Sequence, residues 1–414
     1  MSAWCAQVSL AFLFIDFNSY FASVEQQLHP ALRGKPVGVV PVMADTTCCI
    51  AASYEAKKFG VKTGTLVADA KKLCKEIILV EAQPSVYVEF HHRLVKAVES
   101  CTPVKQVFSI DEMVCDLMGR ERQRDKAVAL AGHIKQTIAK KVGSELRSSI
   151  GIAPNTFLAK TASDMQKPDG LVVIDQDDLP YCLYRLALRD LTGIGHAMEQ
   201  RLHQYGIATV EQLCGANRTT LRKVWGGIEG ERMYDKLRGE AVYTPPSARS
   251  TVGHSHVLGP ELRSDRAAFS VLHKLLQKAA MRMRSYGCMA GALHVSVKYV
   301  DGARFSEDIP FDHTDDTLRL LQALAIIWQR RPKIKTRPLA VAVTLLNLIE
   351  ARGQTLSLFG EDGPRDKLNA TVDALNLRYG KNAVYFGGAY LALKAAPMRI
   401  AFGHIPDLVT ESDT

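Results

Sequence analysis

The chain has 414 residues, 47% hydrophobic and 23% charged, and its 52 lysines and arginines against 43 acidic residues give a formal charge of +9. That length predicts several domains rather than one core, and no uncharged apolar run is long enough for a membrane-spanning helix. The basic balance favours a polyanionic partner, while nine cysteines with no CxxC spacing exclude a disulfide scaffold and fit a reducing cytoplasm.

The first predicted strand, residues 8–17, is apolar until Asp16 and leads into a helix bearing Glu25. Its run from Ser9 to Ile15 lacks a basic flank, so it reads as a buried strand rather than a signal peptide. Between Pro36 and Val80 the pattern predicts a small inserted subdomain of two short strands and a basic helix through Lys71 and Lys72. Cys48 and Cys49 are read there as small buried residues. The spacing of Val88, Leu94, Val95 and Val98 predicts a helix over 84–101, followed by a strand pair over 104–117 that contains Asp111 and Glu112. A helix over 127–142, a strand at 148–153, a helix from Asn155 and a strand at 171–174 complete a β-α-β-β-α-β order. That is the order of a ferredoxin-like sheet, with both helices on one face and the other face free for substrate. His91 and His92 have no partners at metal-ligand spacing.

After Asp175 come short helices with glycine-rich turns, ending at a linker around Thr244-Pro245-Pro246-Ser247. A third region is predicted as a helix over 265–286, strands at 293–299 and 302–309, a helix to Trp328 and a strand at 339–348. Its basic cluster of Arg330, Arg331, Lys333, Lys335 and Arg337, like Arg282 and Arg284 at a helix end, concentrates the positive charge locally, either for a polyanionic partner or as a solvated face. The last sixty residues carry the run 354–359, one more helix and an apolar stretch over 383–402.

Asp16, Asp111 and Glu112 carry the chemistry. Acids on apolar strands repel one another unless cations sit between them, and neighbouring first and third strands of a ferredoxin-like sheet would bring these three together. Phosphoryl transfer needs such a set: two divalent ions, roughly 3.5–4 Å apart, clamp the attacking and leaving oxygens. Hard oxygen ligands suit Mg²⁺, with Mn²⁺ able to substitute.

Four runs then carry a resemblance: Asp16 to Glu25 (DFNSYFASVE), Tyr54 to Val61 (YEAKKFGV), Ser109 to Met113 (SIDEM) and Asp164 to Gly170 (DMQKPDG). Their order and spacing over about residues 8–350 resemble the Y-family DNA polymerases, closest to the bacterial DinB type. The resemblance implies an α+β multidomain fold. Its parts are a ferredoxin-like palm (1–24 and 85–174), small fingers (25–84), a helical thumb with a helix-hairpin-helix (175–243), a linker (244–252), an α/β little finger (253–350) and a C-terminal tail (351–414). It implies that Asp16, Asp111 and Glu112 hold both metals, with the Phe17 carbonyl completing one shell. Phe21 matches the steric gate against a ribose 2′-hydroxyl, with Tyr20 packed beneath it. Tyr54, Lys57 and Lys167 match the triphosphate contacts. Lys57 departs from the commoner arginine, and Ala51 stands where a hydroxyl residue is usual.

Leu191 to Val210, with Gly193 and Gly195, resembles a helix-hairpin-helix, whose glycines let backbone N–H groups approach a phosphate. Gln354, Leu356, Leu358 and Phe359 resemble a peptide that docks on the bacterial sliding clamp, although Thr355 interrupts the usual pattern. The expected activity is lesion-tolerant, low-fidelity, template-directed DNA synthesis, with primer-template DNA and deoxynucleoside triphosphates as partners of a cytoplasmic monomer. The alternative is a noncatalytic DNA-binding partner in a lesion-bypass complex, which loss of the carboxylates would have favoured.

Overall fold

A computed structural model describes residues 10–243, 249–332, 335–351, 363–380, 383–395, 400 and 405–406. From the N-terminal side, β1 (Phe12–Phe17) runs into α1 (Tyr20–Leu28). A small subdomain follows, with β2 (Val37–Val40), β3 (Ala51–Ala52), α2 (Tyr54–Lys57), α3 (Val67–Leu73) and β4 (Ile78–Glu81). Its sheet has three strands in the order β3-β2-β4 instead of the two expected. The extra strand, β3, is two residues long and too short to show a period in the sequence.

Next come α4 (Pro84–Glu99), β5 (Val104–Ser109), β6 (Glu112–Asp116), α5 (Arg124–Lys141), β7 (Ser148–Ala153), α6 (Thr156–Met165) and β8 (Leu171–Val173). With β1 these strands form a sheet of order β5-β6-β1-β7-β8, antiparallel except for β8, which adds parallel to β7. The first four strands of that order are the ferredoxin-like arrangement, with β1 beside the third strand of the motif, β6. Side chains alternate along β1: Leu13, Ile15 and Phe17 enter a core with α1, α4 and α5, while Phe14 enters a second core with α6 and the helices beyond. The second face is therefore not wholly free: α6 packs against β1, β7 and β8, while Phe108 on β5 stays exposed beside Phe14.

The helices α7 (His196–Gln204), α8 (Val210–Gly215), α9 (Arg218–Trp225) and α10 (Ile228–Lys236) extend that second core. Asn155 joins the two parts. Its side-chain oxygen caps α6 by accepting from Leu158 N at 2.8 Å, while its amide donates to the carbonyls of Lys236 and Glu240.

The last body contains β9 (Val252–Val257), α11 (Asp265–Ser285), β10 (Cys288–Tyr299), β11 (Arg304–Thr314), α12 (Thr317–Arg330), β12 (Pro338–Leu346) and β13 (Ile349–Glu350). Its main sheet runs β11-β10-β12-β9. Strand β9 escaped the sequence reading because its Gly-His-Ser-His centre has no apolar alternation; one inward position is the buried His256. The segment expected as a tail contributes α13 (Gly363–Tyr379) and a 3₁₀ turn, Gly387–Ala392, that lies on α11. Lys274, buried on α11, donates to the carbonyls of Leu393 at 2.8 Å and Ala395 at 2.6 Å. Arg284 grips Asp373 of α13 with two bonds of 2.7 and 2.9 Å.

Candidate active site

Asp16 is the last inward residue of its face on β1 and pairs across the strands with Glu112, the first residue of β6. Ile110 and Asp111 form the two-residue turn between β5 and β6, and Phe17 N donates to the Asp111 carbonyl at 2.9 Å. All three expected acids thus meet at one end of the sheet. Their side chains are balanced within the chain. Lys167 Nζ lies 2.7 Å from Asp16 and 2.8 Å from Asp164, Lys160 Nζ lies 2.8 Å from each Glu112 oxygen, and Ser109 Oγ donates to Asp111. Among the described residues no three acidic, histidine or cysteine side chains stand close enough as placed to hold an ion.

The donor set still fits a hard divalent cation. Burial pushes the Asp16 carboxyl up to about 7 even though Lys167 pulls it down, as expected where a carboxylate's charge wants more compensation than one ammonium gives. The same carboxylates hold the Lys167 ammonium firmly protonated against its burial. Asp16 and Glu112 offer oxygens from adjacent strands and Asp111 from the turn between, the separate segments that a two-ion site requires.

Around this centre Ser19 adopts a left-handed conformation, φ 49°, at the start of α1, and no side chain caps that helix. Its free backbone N–H groups form an anion-binding end. Lys57 Nζ lies 2.7 Å from Ser19 Oγ and 4.3 Å above the Tyr54 ring. Burial and the nearby Lys167 lower the pKa of Lys57, so an arriving anion would be welcome there. Phe21 is half-buried, with its ring stacked on Tyr87 at 4.5 Å and against Tyr20 at 5.7 Å. Sequence reading missed Lys160, Asp164 and Tyr87. The first two could have been found: Lys160, Asp164 and Lys167 recur at helical spacing along α6 and its end.

Away from the centre, Gly193 and Gly195 are exposed, Gly193 has φ 88°, and Gly195 begins α7 without a side-chain cap. Arg330 pairs with Glu307 at 2.9 Å. Arg331 is taken up internally: its side chain is 6% exposed, it bonds Asp265 and the Tyr299 hydroxyl at 2.6 Å each, and it stacks over Trp328. Lys335 and Arg337 are exposed and line a cleft with Arg263 and Asp265. Lys333 and the run Gln354, Leu356, Leu358 and Phe359 lie outside the described residues.

Known proteins resemble this chain over most of its length. Residues 15–164 match the model of the impB/mucB/samB family, and 249–358 match that family's C-terminal domain. Residues 189–240 match a thumb domain described for DNA polymerase-iota. DNA polymerase IV of Moorella thermoacetica is 33% identical over 90% of this chain and 94% of its own. The chain belongs to the Y family of DNA polymerases. Within that family it is of the DinB type, the translesion polymerases. DNA polymerase IV 1 of Bacillus subtilis is 30% identical over 90% of this chain and 91% of its own. A Y-family chimera of Dbh and Dpo4 superposes with a TM-score of 0.69 at 26% identity, covering 82% of this chain and 99% of that one. An insertion ternary complex of Dbh DNA polymerase superposes with a TM-score of 0.53 at 25% identity, with the same coverage. The family's nucleotidyl transfer depends on metal ions. No described helix is long and apolar enough to cross a membrane.

Proposed function

We propose that Asp16, Asp111 and Glu112 hold two Mg²⁺ ions, which Mn²⁺ can replace, and that this centre adds deoxynucleotides to a primer 3′ end opposite a template. The observation that carries this reading is the convergence of the three acids at one end of the sheet, beside an uncapped helix start and three lysines. When bound, such ions stabilise charge on the attacking and leaving oxygens. The chain's own residues do the rest. Asp16 and Glu112 are fixed in register by β1 and β6, and Phe17 N ties the Asp111 turn to them. Lys167 stands where it can pass from Asp16 to a triphosphate oxygen, and Lys57, Tyr54 and the α1 start complete the cradle. Phe21 presents its ring edge to the sugar, with Tyr20 behind it.

Backbone N–H groups around Gly193 and Gly195, with Arg330, Lys335 and Arg337, would hold the duplex by its phosphates, giving salt-dependent and sequence-independent affinity. The run from Gln354 to Phe359, outside the described residues, is proposed to dock on a sliding clamp because of its resemblance to clamp-binding peptides. A cytoplasmic location is proposed on the strength of the bacterial DNA polymerase IV relatives.

Primer extension on a defined template tests the central claim. Extension with Mg²⁺ and its loss in Asp111→Ala, by about a thousandfold or more with primer-template binding retained, is the expected result. Undiminished extension by that variant would remove Asp111 from the metal set.

A further inference from the structure

Behind the nucleotide site lies a carboxylate that the reaction does not touch. Glu25 is fully buried on α1, and its partners are neutral or distant. The Tyr87 hydroxyl donates to it at 2.7 Å, the Gln83 amide stands 3.4 Å away, and the exposed His29 ring is 3.7 Å off. A buried acid without a lysine or arginine is costly, and an apolar residue would fill the same space more cheaply. Its placement supplies a reason.

Phe21 and Glu25 are one helical turn apart on α1, so both face the same neighbour. That neighbour is Tyr87, in the first turn of α4. The Phe21 ring stacks on the Tyr87 ring with centroids 4.5 Å apart and planes 15° apart, while Glu25 takes the hydroxyl at the ring's far end. Tyr20 Oη donates to the Tyr87 carbonyl at 2.6 Å and so fixes the backbone of the same residue. Tyr87 is therefore held at both ends, and its ring forms the wall against which Phe21 rests. Burial and the neighbouring carboxylate keep its phenol protonated, so the hydroxyl remains a donor.

We propose that Glu25, acting through Tyr87, positions the Phe21 ring and so sets how strongly the site rejects a ribonucleotide. This rests on the reading of Phe21 as the sugar gate. A gate works only if it cannot retreat. An aromatic ring stacked on a freely turning tyrosine yields to a 2′-hydroxyl, whereas one stacked on an anchored tyrosine does not. Glu25 and Tyr87 are positioning residues, since neither touches the nucleotide.

Single-nucleotide insertion by the full chain, with each deoxynucleotide and its ribonucleotide, reads this directly. Tyr87→Phe removes one hydroxyl and keeps the stacked ring, and Glu25→Leu removes the acceptor. Each is expected to raise the ribonucleotide-to-deoxynucleotide ratio of kcat/KM by about tenfold, the scale of one buried hydrogen bond to a charged group, with deoxynucleotide insertion within about twofold of the parent. Glu25→Gln, which keeps an acceptor oxygen, should restore discrimination. The double variant Glu25→Leu/Tyr87→Phe should be no more permissive than either single one, because both break the same bond. Tyr87→Phe with an unchanged ratio overturns the proposal, as does a variant that slows both nucleotides equally, which a merely structural role would produce. If Glu25→Leu fails to fold, Tyr87→Phe decides alone. Phe21→Ala runs in parallel. If it admits ribonucleotides while Tyr87→Phe does not, the relay falls and the gate stands; if Phe21→Ala changes nothing, both fall.

Discussion

Lys57, like Ala51, is a position at which the resemblance implies a departure from the family's pattern, and the contacts Lys57 makes suggest the consequence to test. Its ammonium is a single point, committed to Ser19 Oγ and lying over the Tyr54 ring. A guanidinium at the same place would offer two parallel donors to a phosphate and still stack on the tyrosine. Lys57→Arg is therefore expected to lower KM for the incoming nucleotide roughly threefold to tenfold, with kcat little changed, because the added contact is made equally before and during transfer. Steady-state insertion kinetics check this, and a raised or unchanged KM would show that the lysine is already optimal. The acids were legible in the sequence because charge on an apolar strand is conspicuous. Lys160 left only a faint signal, its helical spacing with Asp164 and Lys167, and Tyr87 left none, because a tyrosine at a helix start looks ordinary until its partner, Phe21, is brought across from another segment.

The packing of α6 against β7 depends on one glycine. A Cβ built on Gly151 would lie 1.9 Å from the Ala159 carbonyl oxygen and 2.4 Å from Ser163 N, both of them backbone atoms of α6. No side-chain movement can relieve that contact. Gly151→Ala should therefore push α6 off the sheet, cost roughly 3 kcal/mol or more, and displace Lys160 from Glu112. Thermal melting gives the first effect and loss of extension the second; a variant with parental melting temperature and activity would show that the helix can move off β7 without penalty. Elements with a clear period were legible here, among them β7 at residues 148–153, the helix begun by Asn155 and the long α11. Those without one were not. Two-residue β3 has no period to show, β9 buries a histidine where a hydrophobic residue would signal a strand, and the segment that binds Lys274 of α11 does so with backbone carbonyls, which carry no side-chain code.

Among the described residues, two connections beyond the chain's own order tie the C-terminal body to the catalytic half. One is apolar: Ile400 and Ile405 pack against the core of the first sheet, while Ala392 and Ala395, a few residues earlier, belong to the core under α11. The other is polar. Arg263, 8% exposed, is aimed by a bond from Nε to the Leu258 carbonyl, and its Nη2 donates to Thr46 Oγ1 at 2.7 Å in the loop between β2 and β3. Arg263 lies beside Lys335 and Arg337 in the same cleft, so the bond sits at the edge of the basic surface that a duplex would cover. Arg263→Met keeps the aliphatic stem and removes both donors. The variant should leave the two cores intact but let them move apart on this side, raising the radius of gyration in solution scattering by on the order of 1 Å. It should also weaken primer-template binding severalfold, since a body no longer held in place must be ordered when DNA arrives. Unchanged scattering together with unchanged affinity would mean that the apolar connection alone sets the arrangement, and the same measurements on a double variant, Ile400→Asp with Ile405→Asp, would then carry the whole effect.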